Sequence, residues 1–250
     1  MNSKIFNHIV EKMKDTFHLP KYDKIRAAFG ADTNLDGLPW TPARKLKFQQ
    51  ELESTFGVAV EIEGSVADLV ERTDVRYLSW FFGEIWKPRT EQYQWTGYRI
   101  AEEICRTNPK KVLDVGCGYN PFKERIPNLV GIDPYNNCAD FMVDILDYHV
   151  EPASFDHVIA LGSINFNSRA DIELRFAATV NLLAPNGYLW MRANPGLDHD
   201  GVKTPNKGPW VEIFPWSFDV AYELAKKFNL TLETLKQDQD RLFFLFKRNP

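Results

Sequence analysis

The sequence predicts an α/β fold: a mostly parallel sheet closed by an antiparallel hairpin and preceded by a small all-α bundle. Three observations carry this reading. Val112, Leu113 and Val115 form a short apolar run that Asp114, Gly116, Cys117 and Gly118 end with a turn, the pattern of a buried parallel strand entering a glycine-rich loop. At the carboxyl end, Leu230 to Leu235 and Leu242 to Phe246 alternate about an Asp-Gln-Asp turn, as two antiparallel strands do. Before residue 76 the apolar residues instead recur at helical spacing.

Composition narrows the possibilities. The 250 residues suffice for one large or two small domains with ample core. With 30 basic against 34 acidic residues the net charge is -4, which disfavours a protein that coats nucleic acid. Cys105, Cys117 and Cys138 have neither CxxC spacing nor even pairing, so they read as reduced thiols, and no zinc site is expected. The amino terminus alternates apolar and charged residues, unlike a signal peptide, and no apolar run is long enough to span a bilayer. A soluble, cytoplasmic protein is expected.

Ile5, Phe6, Ile9, Val10, Met13 and Phe17 share one face of a first helix, ended by His18, Leu19 and Pro20. Thr41 followed by Pro42 opens a second, which runs through Leu46, Phe48, Leu52 and Phe56 to Gly57. Ser65 with Asp68 caps a third. These make a domain of residues 1–75. Residues 76–108 form an aromatic-rich linker and cap, with Tyr77, Trp80, Phe81, Phe82 and Trp86 close together; they serve packing or wall a ligand. A helix carrying Tyr93, Gly97, Ile100, Ala101 and Ile104 then ends before Asn108-Pro109.

Residues 109–250 hold the sheet. The first strand enters the glycine loop, where Gly116 and Gly118 permit a sharp turn and Asn120 tolerates a left-handed backbone. The second strand, Leu129 to Ile132, ends on Asp133, where a carboxylate would grip a ribose by its hydroxyls. Phe141, Met142 and Val143 form a third strand after a segment too short for a crossover helix. Phe155 to Leu161 form the fourth strand, followed by Gly162, Ser163 and Asn165. Ser168 and Asp171 cap the next helix, Pro185-Asn186-Gly187 turns the chain into a fifth strand, and Ser217 opens a last helix that Asn229 ends. With the terminal hairpin this gives a Rossmann-like sheet of seven strands.

VLDVGCG with VGIDP downstream, followed in order by DFMVDI, SFDHVIALGSI and LLAPNGYLWMR, resembles the class I S-adenosylmethionine-dependent methyltransferases over residues 76–250. The alternative is a Rossmann domain that uses another nucleotide cofactor, but Pro121 and Pro127 bracket a segment too short for the helix such a domain places after its glycines. The resemblance implies S-adenosylmethionine as cofactor and S-adenosylhomocysteine as product. It assigns donor binding to Asp114, Gly116, Cys117, Gly118, Asn120, Asp133, Pro134 and Gly162, the adenine amino group to Asp144, the adenine face to Ile145, and the cofactor's edge to Tyr93 and Tyr98. GSIN lacks the prolines of base-amino methyltransferases, which argues against base-amino methylation, while the aromatic segment and the carrier-like first domain lean toward an acceptor that is a small molecule or presented on a carrier. Ser163 and Asn165 are candidate acceptor contacts.

A second resemblance covers the first 75 residues. FGADTNLDGLPWTPARKLKFQQELESTFGVAVEIEGSVADLVERT is similar to part of an acyl carrier protein, but Asp36-Gly37-Leu38 stands where the attachment serine belongs, so no phosphopantetheine can be carried. The resemblance implies a docking or covering role, with docking bringing in a protein partner; an unrelated three-helix cap fits the pattern equally.

Methyl transfer needs placement, removal of water and, where required, a base. His199, between Asp198 and Asp200 in the long polar stretch after the fifth strand, is the candidate base, against a plain exposed loop. His157 reads as a packed or edge residue. A noncatalytic, donor-binding or assembly module remains the alternative to an enzyme.

Overall fold

The computed structural model describes residues 1–18, 20–87, 97–196 and 208–250. It divides into two compact units, Met1–Ile85 with Gly208–Glu212, and Trp86–Lys207 with Ile213–Pro250.

In the first unit, α1 (Ser3–Thr16) starts at Asn2, whose side-chain oxygen accepts from the backbone of Lys4 and Ile5. A 3₁₀ turn, Pro20–Tyr22, leads into the short α2 (Asp23–Ala27). Helix α3 (Pro42–Phe56) has Thr41 as cap and stops at Gly57, whose φ of 72° ends the helical run. Helix α4 (Val66–Trp80) opens on the reciprocal Ser65–Asp68 capping box. Ile5, Ile9, Met13, Phe48, Leu52, Phe56 and Leu69 meet in one core. The unit extends past the expected boundary at residue 75, because no glycine or proline interrupts the run from Val66 to Trp80 and a π turn continues it through Phe81–Ile85. It also takes back Gly208–Glu212. Trp210 lies 4.9 Å from Phe56 and 5.0 Å from His8 between ring centroids, Asn2 donates to its carbonyl at 2.7 Å, and Ser3 donates twice to Glu212, each at 2.6 Å.

Among the described residues, the second unit holds a mixed sheet of six strands: β1 (Val112–Val115), β2 (Leu129–Ile132), β3 (Phe155–Leu161), β4 (Leu183–Ala193), β5 (Leu230–Asp238) and β6 (Arg241–Arg248), in the order β2-β1-β3-β4-β6-β5. The first four pair in parallel and β6 runs antiparallel to both neighbours. Alternation along the strands separates two cores. Leu113, Val115, Val158 and Leu189 pack with α6 (Arg169–Leu182) and α7 (Phe218–Lys227), whereas Val112, Ile159 and Trp190 pack with α5 (Tyr98–Arg106). The Pro185–Gly187 turn is a bulge inside β4, and a Cβ on Gly187 would sit 2.8 Å from the Ala184 carbonyl oxygen.

The expected seventh strand does not form. Phe141 makes one parallel bridge to Ile132, but the N–H of Val143 turns back to the carbonyl of Phe141 at 3.1 Å, and the ladder ends there. The β2 edge is occupied in another way: Asp140 Oδ2 accepts from Gly131 N at 2.8 Å and the Lys123 ammonium donates to the Leu129 carbonyl at 2.7 Å. Phe141 and Met142 are left exposed. His157 is buried between elements, its Nδ1 accepting from the Trp190 indole at 3.0 Å, which puts the ring proton on Nε2, facing Thr107 Oγ1 at 2.8 Å. Among the described residues no helix is long and apolar enough to cross a membrane, and no cluster of side chains could hold a metal ion.

Candidate functional site

The carboxyl ends of β1, β2 and β3 bring together Asp114, the glycine loop, Asp133 and Ser163. The loop is fixed to β2 by the backbone of Gly116 and Cys117, both donating to the Ile132 carbonyl at 2.8 and 3.0 Å. Asp133 completes the tether. Its Oδ2 accepts from Gly118 N at 2.9 Å and its Oδ1 from Tyr135 N at 2.8 Å. A carboxylate has about four lone-pair positions, and the remaining ones can take a ligand's hydroxyls. Pro134 lies between Asp133 and Tyr135 and starts the turn that aims Tyr135 N back at the carboxylate.

The loop's residue types follow from its contacts. Gly116 has φ of 67°, and a Cβ there would come within 2.3 Å of the Ser163 Cβ. Only glycine allows the loop to lie this close to the segment after β3. Gly118 (φ 55°) faces Trp86 instead. Asn120 adopts a left-handed φ of 54°, and its amide lies against β2, where a Cβ on Gly131 would be 2.7 Å from its Oδ1.

Two buried polar atoms have no hydrogen-bond partner among the described residues: Ser163 Oγ, beside Gly116, and Asp114 Oδ2, on the strand end that enters the loop. Burial, with the Asp133 charge nearby, pushes the Asp114 carboxyl up to about 8. The Cys117 thiol is also driven up, by burial first and then by Asp114, Asp133 and Asp140, so it is not a nucleophile at neutral pH. A buried carboxyl that meets only desolvation and a like charge is suited to a cationic ligand.

Other expected site residues are placed differently. Ile145 is 6% exposed and belongs to the core beneath the sheet. Asp144 pairs with Arg175 at 3.1 Å and accepts from Leu146 N at 3.0 Å. Asn165 is a strut: its Oδ1 accepts from Asn194 N and its carbonyl from Phe214 N. Gly162 turns the chain at φ 108° to deliver Ser163. Tyr98 stacks on the Arg125 guanidinium at 3.7 Å and meets the Phe122 ring edge-on. Tyr93 and His199 lie outside the described residues.

Sequence reasoning missed Asp140, Lys123 and Arg175, whose partners are 9, 6 and 31 positions away and carry no motif. Trp86 was visible only as one member of an aromatic segment.

No family model and no curated protein matches the chain. Among solved structures it is similar to the N-methyltransferase NodS from Bradyrhizobium japonicum WM9 in complex with S-adenosyl-L-homocysteine, at 14% identity over 62% of this chain and 86% of that one, with a TM-score of 0.48. It is also similar to the Burkholderia thailandensis 1,6-didemethyltoxoflavin-N1-methyltransferase, at 13% identity over 87% and 95% of the two chains (TM-score 0.49), and to the [4+2]-cyclase SpnF, at 11% identity over 63% and 82% (TM-score 0.46). Likenesses this distant say nothing of activity. The architecture rests on the strand order itself.

Proposed function

We propose that the chain is an S-adenosylmethionine-dependent methyltransferase acting on a small-molecule or carrier-presented acceptor. The observation that supports this most is the pair of buried atoms left without partners among the described residues, Asp114 Oδ2 and Ser163 Oγ, the second against a glycine where a Cβ would meet Ser163 at 2.3 Å. Their chemistry fits the amino-acid end of the donor, and the spare lone pairs of Asp133 fit its ribose. At the adenine end the fit is weaker, because Asp144 is engaged by Arg175 and Ile145 is packed away.

When bound, S-adenosylmethionine supplies a methyl group on a sulfonium, open to in-line displacement. The protein's contribution is placement: Asp133 holds the loop and the sugar, Asp114 offers a carboxylate to the donor's positive charge, and Gly116 with Ser163 shapes the crevice. Cys117, Gly118, Asn120, Pro134 and Gly162 complete the cradle through their backbones. We retain Tyr93 as an edge of the donor site, His199 as the candidate base, and the helical unit as a docking surface for a partner, expectations that come from the sequence.

A noncatalytic module of the same fold is the second reading, favoured by the Asp144–Arg175 pair at the residue expected to meet adenine. Calorimetry with S-adenosylmethionine and S-adenosylhomocysteine separates a donor-binding protein from one that has lost the site. Product formation across a panel of acceptors then separates enzyme from module; binding without turnover on any acceptor favours the module.

A further inference from the structure

Among the described aromatic residues of the 77–86 segment, Trp86 is the one that belongs to the second unit and meets its glycine loop. A Cβ built on Gly118 would lie 3.4 Å from its Cζ3 and 3.7 Å from its Cη2, so the six-membered ring of the indole stands on the side of Gly118 where a side chain would begin. The indole plane is within 19° of the Tyr119 ring, with centroids 6.5 Å apart. The neighbouring cation, Lys87, is directed to Tyr119, donating to its hydroxyl at 2.9 Å and lying 5.6 Å from its ring centroid. The indole is half-buried, whereas Tyr77 and Phe81 are buried within the helical unit. The two glycines of the loop thus face Ser163 on one side and an indole on the other.

We propose that Trp86 is the wall against which the positively charged half of the donor lies, and that it discriminates the sulfonium from the neutral thioether by the charge at sulfur. The assignment rests on the donor reading above. Indole has the strongest negative face of any side chain, and a cation within about 6 Å of it is attracted most where water is excluded. The Gly118 amide, a donor engaged with Asp133, offers a cation no attraction. Asp114, with its buried and unpartnered Oδ2, becomes a counter-charge only where a cation draws off its proton. An aromatic wall and a buried carboxyl therefore address the donor's charges by different means.

Trp86→Leu keeps an apolar side chain and removes the π face; Trp86→Phe keeps a weaker face. Calorimetry of the full chain with S-adenosylmethionine and with S-adenosylhomocysteine reads the difference. The expected result is that Trp86→Leu weakens S-adenosylmethionine about tenfold while changing S-adenosylhomocysteine no more than about twofold, and that Trp86→Phe recovers most of the loss. Equal weakening of both ligands shows a packing role, and no weakening of either shows none; both overturn the assignment. A wild-type protein that binds neither ligand overturns the donor reading itself, and is seen before any variant is made. Trp86 is outside the core clusters, and matching thermal unfolding of the three proteins verifies that the comparison is between folded chains.

Discussion

Replacing Asp114 with asparagine isolates the electrostatic strain stored at the crevice. The carboxyl is 3% exposed, and its folded value of about 8 stands far above the 3.8 of an unfolded aspartate, through burial first and the Asp133 charge second. The direction of the linkage follows. A carboxyl whose folded value is raised binds its proton more tightly in the native state, so its favourable contribution is complete below 3.8 and is lost as pH rises toward about 8. Between those limits the native state loses about 1.4 kcal/mol per pH unit from this group. From about pH 5.5 to about pH 8, with the slope halving near the top of the window, the loss sums to about 3 kcal/mol. Asparagine has a similar shape but cannot ionise, so Asp114→Asn removes that slope whatever its constant effect on packing. Equilibrium urea unfolding of both proteins across this pH range measures it. The wild-type curve should fall relative to the variant by about 3 kcal/mol, and saturating S-adenosylhomocysteine, whose ammonium group offers a counter-charge, should flatten it. Parallel curves for the two proteins refute the claim that Asp114 is a strained, buried carboxyl suited to a cation.

Other substitutions probe the loop and the core separately. Gly116→Ala combines a φ of 67° with a 2.3 Å approach to Ser163, and should cost about 1–3 kcal/mol in thermal unfolding. Gly30→Ala, where nothing lies within 4 Å, should be close to neutral and serves as its control. Asp133→Lys removes the acceptor of two backbone amides and, with it, the proposed ribose grip; a folded variant that binds S-adenosylhomocysteine as tightly as wild type would place the pocket elsewhere. Burial lowers the His157 value, partly opposed by Asp156, so its stabilisation is present above the unfolded value of about 6.5 and is lost as pH falls through the lower folded one. His157→Leu should flatten that acid limb in pH-dependent unfolding; an unchanged acid limb would show that His157 titrates normally.

What the sequence disclosed and what it hid divide along the range of the forces involved. Thr41, Ser65, Ser168 and Ser217 are legible as caps because the donor each accepts is three residues away, and all four cap their helices. Asn120 is legible as a left-handed position, Asn186 as part of a turn and Asn229 as a helix end, because such conformations are set by immediate neighbours, and all three adopt positive φ. The glycine loop belongs with them, because the demand for a tight turn beside a strand end is local; Asp133 is legible from its place at the end of β2, while its tether to Gly118, 15 positions away, is not.

The third strand failed for a reason no alternation pattern contains. Phe141 to Val143 has the apolar character of a strand, but a strand forms only if its amides find the neighbour's carbonyls more available than their own. Here Asp140 has already taken the Gly131 amide, Lys123 the Leu129 carbonyl, and Val143 closes on Phe141. The same competition decides the site. Asp144 has the sequence position of an adenine ligand, and Arg175, 31 residues later, converts it into half of an ion pair in the free protein. A partly exposed pair of this kind is worth about 1 kcal/mol or less. That is small beside the free energy of a nucleoside ligand, so on the donor-binding reading the pair would weaken adenine binding only slightly. Arg175→Ala should therefore leave S-adenosylhomocysteine affinity within about threefold of wild type if Asp144 meets the adenine, and a larger loss would make Arg175 itself part of the ligand's surface.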